Sequence, residues 1–236
     1  MTAIEGITLI NKPVGPSSFF LILLLRKRLQ VQKIGHAGTL DPFASGLMIL
    51  LIGRNYTRLQ KQFMEEHKEY TTRIILGAAT TTFDKEGEIT NTSSQQPSLE
   101  EIHQALQSFQ GYISQVPPMY SAKKWKGKKL YELARQGLEV EREPKRVFVS
   151  ITLLSYTYPY LDLHITCSSG TYIRSIGNDL GQNLGCYAHL KELTRIRSGQ
   201  FHIDKCLSIK DLANENFPLE RYIFRDTSQC LSNGRI

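Results

Sequence analysis

Segments that read as strands outnumber those that read as helices along this chain, and the two kinds do not alternate. A parallel sheet needs strand–helix–strand crossovers in regular succession, so their absence predicts an α+β fold around an antiparallel sheet. Ile7–Ile10 reads as a short buried strand, and Tyr70–Leu76 alternates and carries β-branched residues. Val147–Leu154 and Leu161–Cys167 read as a pair of strands. Ser17 or Ser18 can cap a helix running to about Leu29. Within it Phe19–Leu25 is apolar on every side, which predicts a deeply buried helix in preference to a partner surface. Ser98 and Glu101 form a capping box, and Ile102, Ala105, Leu106 and Phe109 share the face of a helix ending near Gly111. Gly170-Thr171 opens a further helix with Ile173, Ile176, Leu180 and Leu184 facing inward.

Chemistry concentrates in the connections. Residues 35–46, GHAGTLDPFASG, predict an irregular loop ahead of the apolar stretch Leu47–Ile52. Proline fixes one dihedral there, and glycines let another chain approach the backbone closely. Asp41 in this setting is either a presented carboxylate or the cap of a turn. Ala78–Gly87 turns through polar residues that include Asp84. From Gln115 to Arg146 the composition shifts to Pro, Lys, Gly and Tyr, which predicts an excursion from the core. In it Lys123, Lys124, Lys126, Lys128 and Lys129 surround Trp125, a pattern that serves either as phosphate contacts interleaved with a stacking ring or as a solvated loop. Arg174, beside Tyr172, either neutralises a buried acid or lies on a helix surface. His36 either meets a base or is simply structural.

Lys and Arg number 29 against 22 Asp and Glu in 236 residues, and this balance favours a polyanionic partner. Cys167, Cys186, Cys206 and Cys230 lie far apart without zinc-type spacing, so reduced thiols and no metal are expected. No nucleotide-binding glycine motif occurs. The start of the sequence lacks secretory features and the longest apolar run is too short to span a bilayer, which predicts a cytoplasmic protein with no membrane partner.

Several blocks together, in order, carry a resemblance: NKPVGPSS from Asn11, GHAGTLDPFASGLM from Gly35, Lys68-Glu69-Tyr70, QVPPMYSAKKWKGKKLYELARQG from Gln115, and CSSGTYIRSIGNDLGQNLGCYAHLKELTRIRSG from Cys167. The chain resembles the TruB family of RNA pseudouridine synthases from Gly6 to about Arg197. The resemblance implies a mixed, mostly antiparallel sheet flanked by helices, with a mobile basic thumb over residues 115–146 that closes on RNA. It implies Asp41 as the catalytic aspartate and Arg174 as its partner. Tyr70 is expected to stack on a flipped uracil, Tyr172 and Leu193 to line the same pocket, and Asp84 to be a polar partner near Tyr172. His36 is expected to wedge into the place the base leaves, and Lys123, Lys124, Lys128 and Lys129 to contact the tRNA T-arm. No cofactor and no obligatory protein partner are implied, and a monomer is the default. The expected organisation is one catalytic domain over 1–236, a short helix at Ser208–Asn214 and a C-terminal tail over Phe217–Ile236, too short for the RNA-binding PUA domain of many members. A chemically inactive RNA-binding protein or chaperone, a two-carboxylate glycoside hydrolase and the guide-RNA-dependent branch of the family are the rivals.

Overall fold

The computed structural model describes residues 4–226, and Cys230 and the end of the expected tail lie outside them. The chain runs β1 (Gly6–Lys12), α1 (Ser18–Leu29), β2 (Ile34–His36), β3 (Ser45–Ile52), α2 (Arg54–Thr57), α3 (Gln60–Glu65) and β4 (Lys68–Leu76). It continues through β5 (Ala78–Thr80), β6 (Ile89–Thr92), α4 (Leu99–Gln107), β7 (Gly111–Gln115), β8 (Lys124–Trp125), β9 (Lys128–Lys129) and α5 (Leu130–Ala134). The last elements are β10 (Lys145–Thr157), β11 (Tyr160–Cys167), α6 (Ile173–Asn183), β12 (Ala188–Ser198), β13 (Phe201–His202) and α7 (Ile209–Ala213). The fold is α+β with a mixed, mostly antiparallel sheet.

Two compact units divide the chain, one of Met1–Tyr70 with Leu193–Ile236 and one of Thr71–Glu192. In the first, β3 pairs antiparallel with β1 and β2 and parallel with β12, the parallel contact bringing Ser45 opposite Thr194 and Gly46 opposite Arg195. The all-apolar LMILLI of β3 is buried on both faces, the pattern expected of a strand covered on each side. Ile7, Leu9, Leu47, Ile49, Leu51 and Phe201 form its core. Phe224 joins this core and pairs with Ile7, so the stretch expected to be a tail from Phe217 is partly structural. Each such aliphatic or aromatic side chain stabilises the unit by about 1.5–3 kcal/mol on burial.

In the second unit β10 lies between antiparallel β11 and β7. Helix α4 starts at a complete capping box, Ser98 with Glu101, packs on α6 and β10, and buries Ile102, Ala105 and Leu106. It ends at Gln107, so Phe109 is buried just beyond the helix rather than on it. Leu184 likewise caps α6 instead of extending it.

Helix α1 departs from its expectation. Leu21, Ile22 and Leu25 are buried, but Phe19, Phe20 and Leu23 face solvent. The irregular loop is also shorter than 35–46, because β2 continues to His36 and β3 starts at Ser45.

Candidate active site

Asp41 sits half-buried in the turn between β2 and β3, and the residues on either side of it are tied down. Ser18, the first residue of α1, is buried and holds both polar groups of Leu40: its hydroxyl donates to the Leu40 carbonyl at 2.9 Å and accepts from the Leu40 N–H at 2.9 Å. On the other side Pro42 offers its carbonyl to Gly15 N–H at 2.8 Å and to Lys12 Nζ at 3.3 Å. Lys12 is fully buried, and its ammonium also donates to the carbonyls of Pro13 and Pro16, each at 2.9 Å. Three acceptors offset the desolvation of that charge. The Asp41 carbonyl accepts from Ala44 N–H at 3.1 Å.

A second buried cation sets the floor of the turn. Arg195, on β12, donates from Nε to the Leu47 carbonyl at 2.7 Å and from Nη2 to the Gly38 carbonyl at 3.1 Å. The strands meet so closely that a Cβ on Gly46 would lie 2.3 Å from the Arg195 carbonyl oxygen, and Gly46 has φ +111°. Only glycine fits there.

His36, Tyr70 and Leu193 belong to the same unit as Asp41. His36 ends β2, its carbonyl accepting from Gln60 Nε2 at 2.8 Å while its buried Nδ1 has no hydrogen-bond partner. Burial first, and Arg195 second, hold the imidazole pKa below its ordinary value, so the ring is neutral at physiological pH. Tyr70 on β4 and Leu193 on β12 are buried. Next to Leu193, the hydroxyls of Thr194 and Ser45 are 2.9 Å apart.

The second unit holds Arg174, Asp84 and Tyr172. Arg174 lies in the first turn of α6 and is buried, which removes the helix-surface alternative. Its Nη1 donates to the Thr82 carbonyl at 2.7 Å and its Nη2 to the Tyr120 carbonyl at 2.6 Å, with Asp84 Oδ2 3.5 Å from Nη1. Asp84 Oδ1 accepts from Thr82 Oγ1 at 2.6 Å and Glu86 N–H at 3.0 Å. Asp84 thus serves Arg174 directly. Tyr172 precedes α6, and the buried Gln115 amide clasps its backbone, accepting from the N–H at 2.8 Å and donating to the carbonyl at 3.0 Å.

The lysine segment is a hairpin rather than a shapeless loop. Lys124 pairs with Lys129 and Trp125 with Lys128, and the turn residues Lys126 and Gly127 both have positive φ, as a tight two-residue hairpin turn requires. Lys123, Lys124 and Lys128 are exposed, and Lys126 Nζ lies 4.5 Å from the Trp125 ring centre. Lys129 is half-buried; its bond to the Tyr131 hydroxyl raises its pKa. The sequence reading missed Lys12, Ser18, Gln115 and Arg195; the partners of Ser18, Gln115 and Arg195 are distant in the chain, as is Pro42, which Lys12 reaches besides the neighbouring Pro13 and Pro16. Among the described residues no His, Cys, Asp and Glu cluster could hold a metal ion, and no helix is long and apolar enough to cross a membrane.

Comparison with known proteins agrees with the motif order. Residues 26–173 match the N-terminal domain of the TruB family pseudouridylate synthases, and residues 174–226 match the tRNA pseudouridylate synthase B C-terminal domain. A tRNA pseudouridine synthase B of Protochlamydia amoebophila is 59% identical over 205 residues, covering 87% of this chain and 78% of its own length. One from Chlamydia abortus is 52% identical, with 93% of each chain covered. Among solved structures, the chain superposes on one from a Cbf5–Nop10–Gar1 complex with a TM-score of 0.72 and 27% identity, covering 94% of this chain and 58% of that one. The chain therefore spans less than two thirds of that structural neighbour.

Proposed function

The chain belongs to the TruB family of pseudouridylate synthases and is a pseudouridine synthase, and we propose that it converts the T-loop uridine of tRNA at position 55 into pseudouridine with Asp41 as nucleophile. The observation that carries this reading is the anchoring of Asp41. Leu40 is held by Ser18 and Pro42 by Lys12 and Gly15, so the backbone that carries the carboxylate is anchored on both sides. Such fixing is what covalent catalysis needs from its nucleophile. The Protochlamydia and Chlamydia relatives are named for tRNA, and the charge of +7 suits that substrate.

A uracil inside a folded loop must first leave its stack, at a cost of a few kcal/mol. His36, neutral and at the end of β2, takes the vacated place, and Tyr70 stacks on the extruded base. The family's motif pattern gives Tyr172 and Leu193 the role of pocket residues, and gives Arg174, with Asp84 behind it, that of the fixed positive charge that favours an ionised aspartate. Asp41 then attacks ribose C1′ or ring C6. In either route the N1–C1′ bond breaks, a C5–C1′ bond forms, C5 loses a proton and N1 gains one. Product and substrate are isomers, so the chemistry balances with the chain's own groups. The hairpin bearing Lys123, Lys124, Lys128 and Lys129 acts as the thumb on the T-arm backbone, within the excursion at residues 115–146.

Release of tritium from tRNA carrying C5-tritiated uridine tests the assignment. Wild type should release it from the T-loop uridine, and Asp41→Asn should bind tRNA yet release none. Turnover by Asp41→Asn would end the nucleophile assignment. Tight tRNA binding by a wild type that never releases tritium would favour an RNA-remodelling protein instead.

A further inference from the structure

The lysine-rich excursion leaves the sheet and returns to it at one point. Gln115 is the last residue of β7 and pairs with Lys145, the first of β10. Both side chains of that pair reach the same short segment, the entry to α6. Lys145 Nζ donates to the Ser169 carbonyl at 3.2 Å, and the Gln115 amide grips both backbone groups of Tyr172. Helix α6 has no side-chain cap at Tyr172, and the Tyr172 carbonyl is shared between Ile176 N–H at 3.3 Å and Gln115 Nε2 at 3.0 Å. The start of α6 is therefore held from the root of the excursion.

The outgoing limb of the excursion bonds to the same turn of helix. Ser175 Oγ donates to the Val116 carbonyl at 3.5 Å, and Arg174 Nη2 donates to the Tyr120 carbonyl at 2.6 Å. From there the bonds run outward. The Ser121 carbonyl accepts from Tyr131 N–H at 3.1 Å and the Lys123 carbonyl from Leu130 N–H at 2.8 Å, at the foot of the hairpin of β8 and β9. The hairpin and the first turn of α6 are the two ends of one hydrogen-bonded path inside a single compact unit. We propose that Gln115 is a positioning residue, which ties the root of the lysine excursion to Tyr172 so that RNA held by the hairpin fixes where Tyr172 and Arg174 stand. This deepens the function proposed above and rests on it.

The chemistry of the side chain fits this role. Gln115 is buried, so both polar atoms of its amide need partners, and both find them on one residue. A planar amide that donates to a carbonyl and accepts from the N–H of the same residue fixes that residue in distance and in orientation at once. An apolar side chain of similar size would fill the space and hold nothing. The guanidinium of Arg174 extends the grip, because its fork joins the Thr82 carbonyl on one nitrogen to the Tyr120 carbonyl of the excursion on the other. The molecule also carries the same device without the connection. Gln110 donates to the Ile151 carbonyl at 2.7 Å and accepts from Ile151 N–H at 3.0 Å, so its amide clasps β10 rather than α6. Equal chemistry in a different place makes Gln110 the internal control.

Two changes that act through one connection do not add, so a double-mutant cycle is the test. It combines Gln115→Leu with alanine at Lys123, Lys124, Lys128 and Lys129, each protein checked for folding by circular dichroism. Single-turnover tritium release at saturating tRNA gives the rate, filter binding the affinity, and quenching of Trp125, the single tryptophan of the chain, reports hairpin contact. Gln115→Leu should bind tRNA within about three-fold of wild type, keep the Trp125 quench, and release tritium about 10- to 100-fold more slowly, as misplacement by up to about 1 Å requires. The lysine replacements should slow the saturated rate in wild type but weaken only binding in Gln115→Leu. Losses in rate that add, or lysine replacements that leave the saturated rate intact, overturn the proposal. Loss of the quench in Gln115→Leu overturns it too, since the glutamine would then act on the hairpin itself. Gln110→Leu should keep its rate within about two-fold, and a fall equal to that of Gln115→Leu would mean general loosening and sink the idea. Gln115→Asn keeps the amide one methylene short and serves if the leucine variant does not fold; its rate should be intermediate, and a full rate overturns the clasp. A wild type that releases no tritium ends the proposed function and this inference with it, whereas release by wild type and folded Gln115→Leu alike ends the clasp alone.

Discussion

Replacing Ser18 by Ala removes one hydroxyl and strands two backbone groups. The Leu40 N–H and carbonyl are each 2.9 Å from that oxygen, in a buried setting. A buried backbone group left without a partner costs about 1–3 kcal/mol, so the pair costs about 2–4 kcal/mol once partial relaxation is allowed. For a chain of this size each kcal/mol shifts Tm by about 2–4 °C, which gives a fall of roughly 5–15 °C. Ser17→Ala is the control. Ser17 caps α1 with a single bond, its hydroxyl accepting from Phe20 N–H at 3.3 Å, and losing it costs about 1 kcal/mol. The two neighbours differ more in catalysis than in stability. In the proposed mechanism, freeing Leu40 shifts Asp41 relative to the base, and misplacement by about 1 Å costs on the order of 100-fold in rate. Single-turnover tritium release should therefore fall about 10- to 100-fold in Ser18→Ala and stay within about two-fold in Ser17→Ala, with tRNA affinity unchanged in both. Circular dichroism gives the melting temperatures and rapid quench the rates. A Ser18→Ala protein that melts as predicted but turns over normally would refute the claim that anchoring Leu40 positions the nucleophile.

The neutral state of His36 has a stability signature. Because its folded pKa lies below the unfolded value of about 6.5, the unfolded chain binds the extra proton at low pH, so this contribution is full above that value and is lost as pH falls below it. Urea midpoints at pH 5.5 and 7.5 should differ less in His36→Gln than in wild type, and equal differences would remove His36 from the account. Arg174→Met leaves Asp84 and the carbonyls of Thr82 and Tyr120 without their donor, a loss of about 3–5 kcal/mol by urea unfolding, and Arg174→Lys should recover only part because it lacks the planar fork. Alanine at Lys123, Lys124, Lys128 and Lys129 should lower the slope of log K against log salt for tRNA by up to about 0.9 for each phosphate no longer neutralised, with Tm nearly unchanged. An unaltered slope would mean that the hairpin is only solvated.

How much of this was legible in the sequence follows from chain distance. The capping box of α4 was readable because Ser98 and Glu101 are three residues apart and answer one another locally. The need for a close approach in the Asp41 loop was readable from its glycines, and Gly46 against Arg195 is where it occurs. The side on which α1 meets the core was not, since a uniformly apolar run has no 3.6-residue period to orient it. Arg174 was ambiguous for a different reason: a surface arginine and a buried one look alike until Thr82 and Tyr120 arrive from other parts of the chain. Lys12 and Arg195 are the sharpest cases. Local composition marks both as ordinary solvated charges, yet they are among the most deeply buried large side chains in the molecule. A physical cue nonetheless existed for Lys12. Proline has no N–H to join a ladder and breaks those around it, so turns rich in proline leave carbonyls that need donors from elsewhere. The three carbonyls that Lys12 satisfies belong to Pro13, Pro16 and Pro42. An ammonium with three donors, set just before Pro13, is matched to that deficit, and this match joins the end of β1 to the residue beside Asp41.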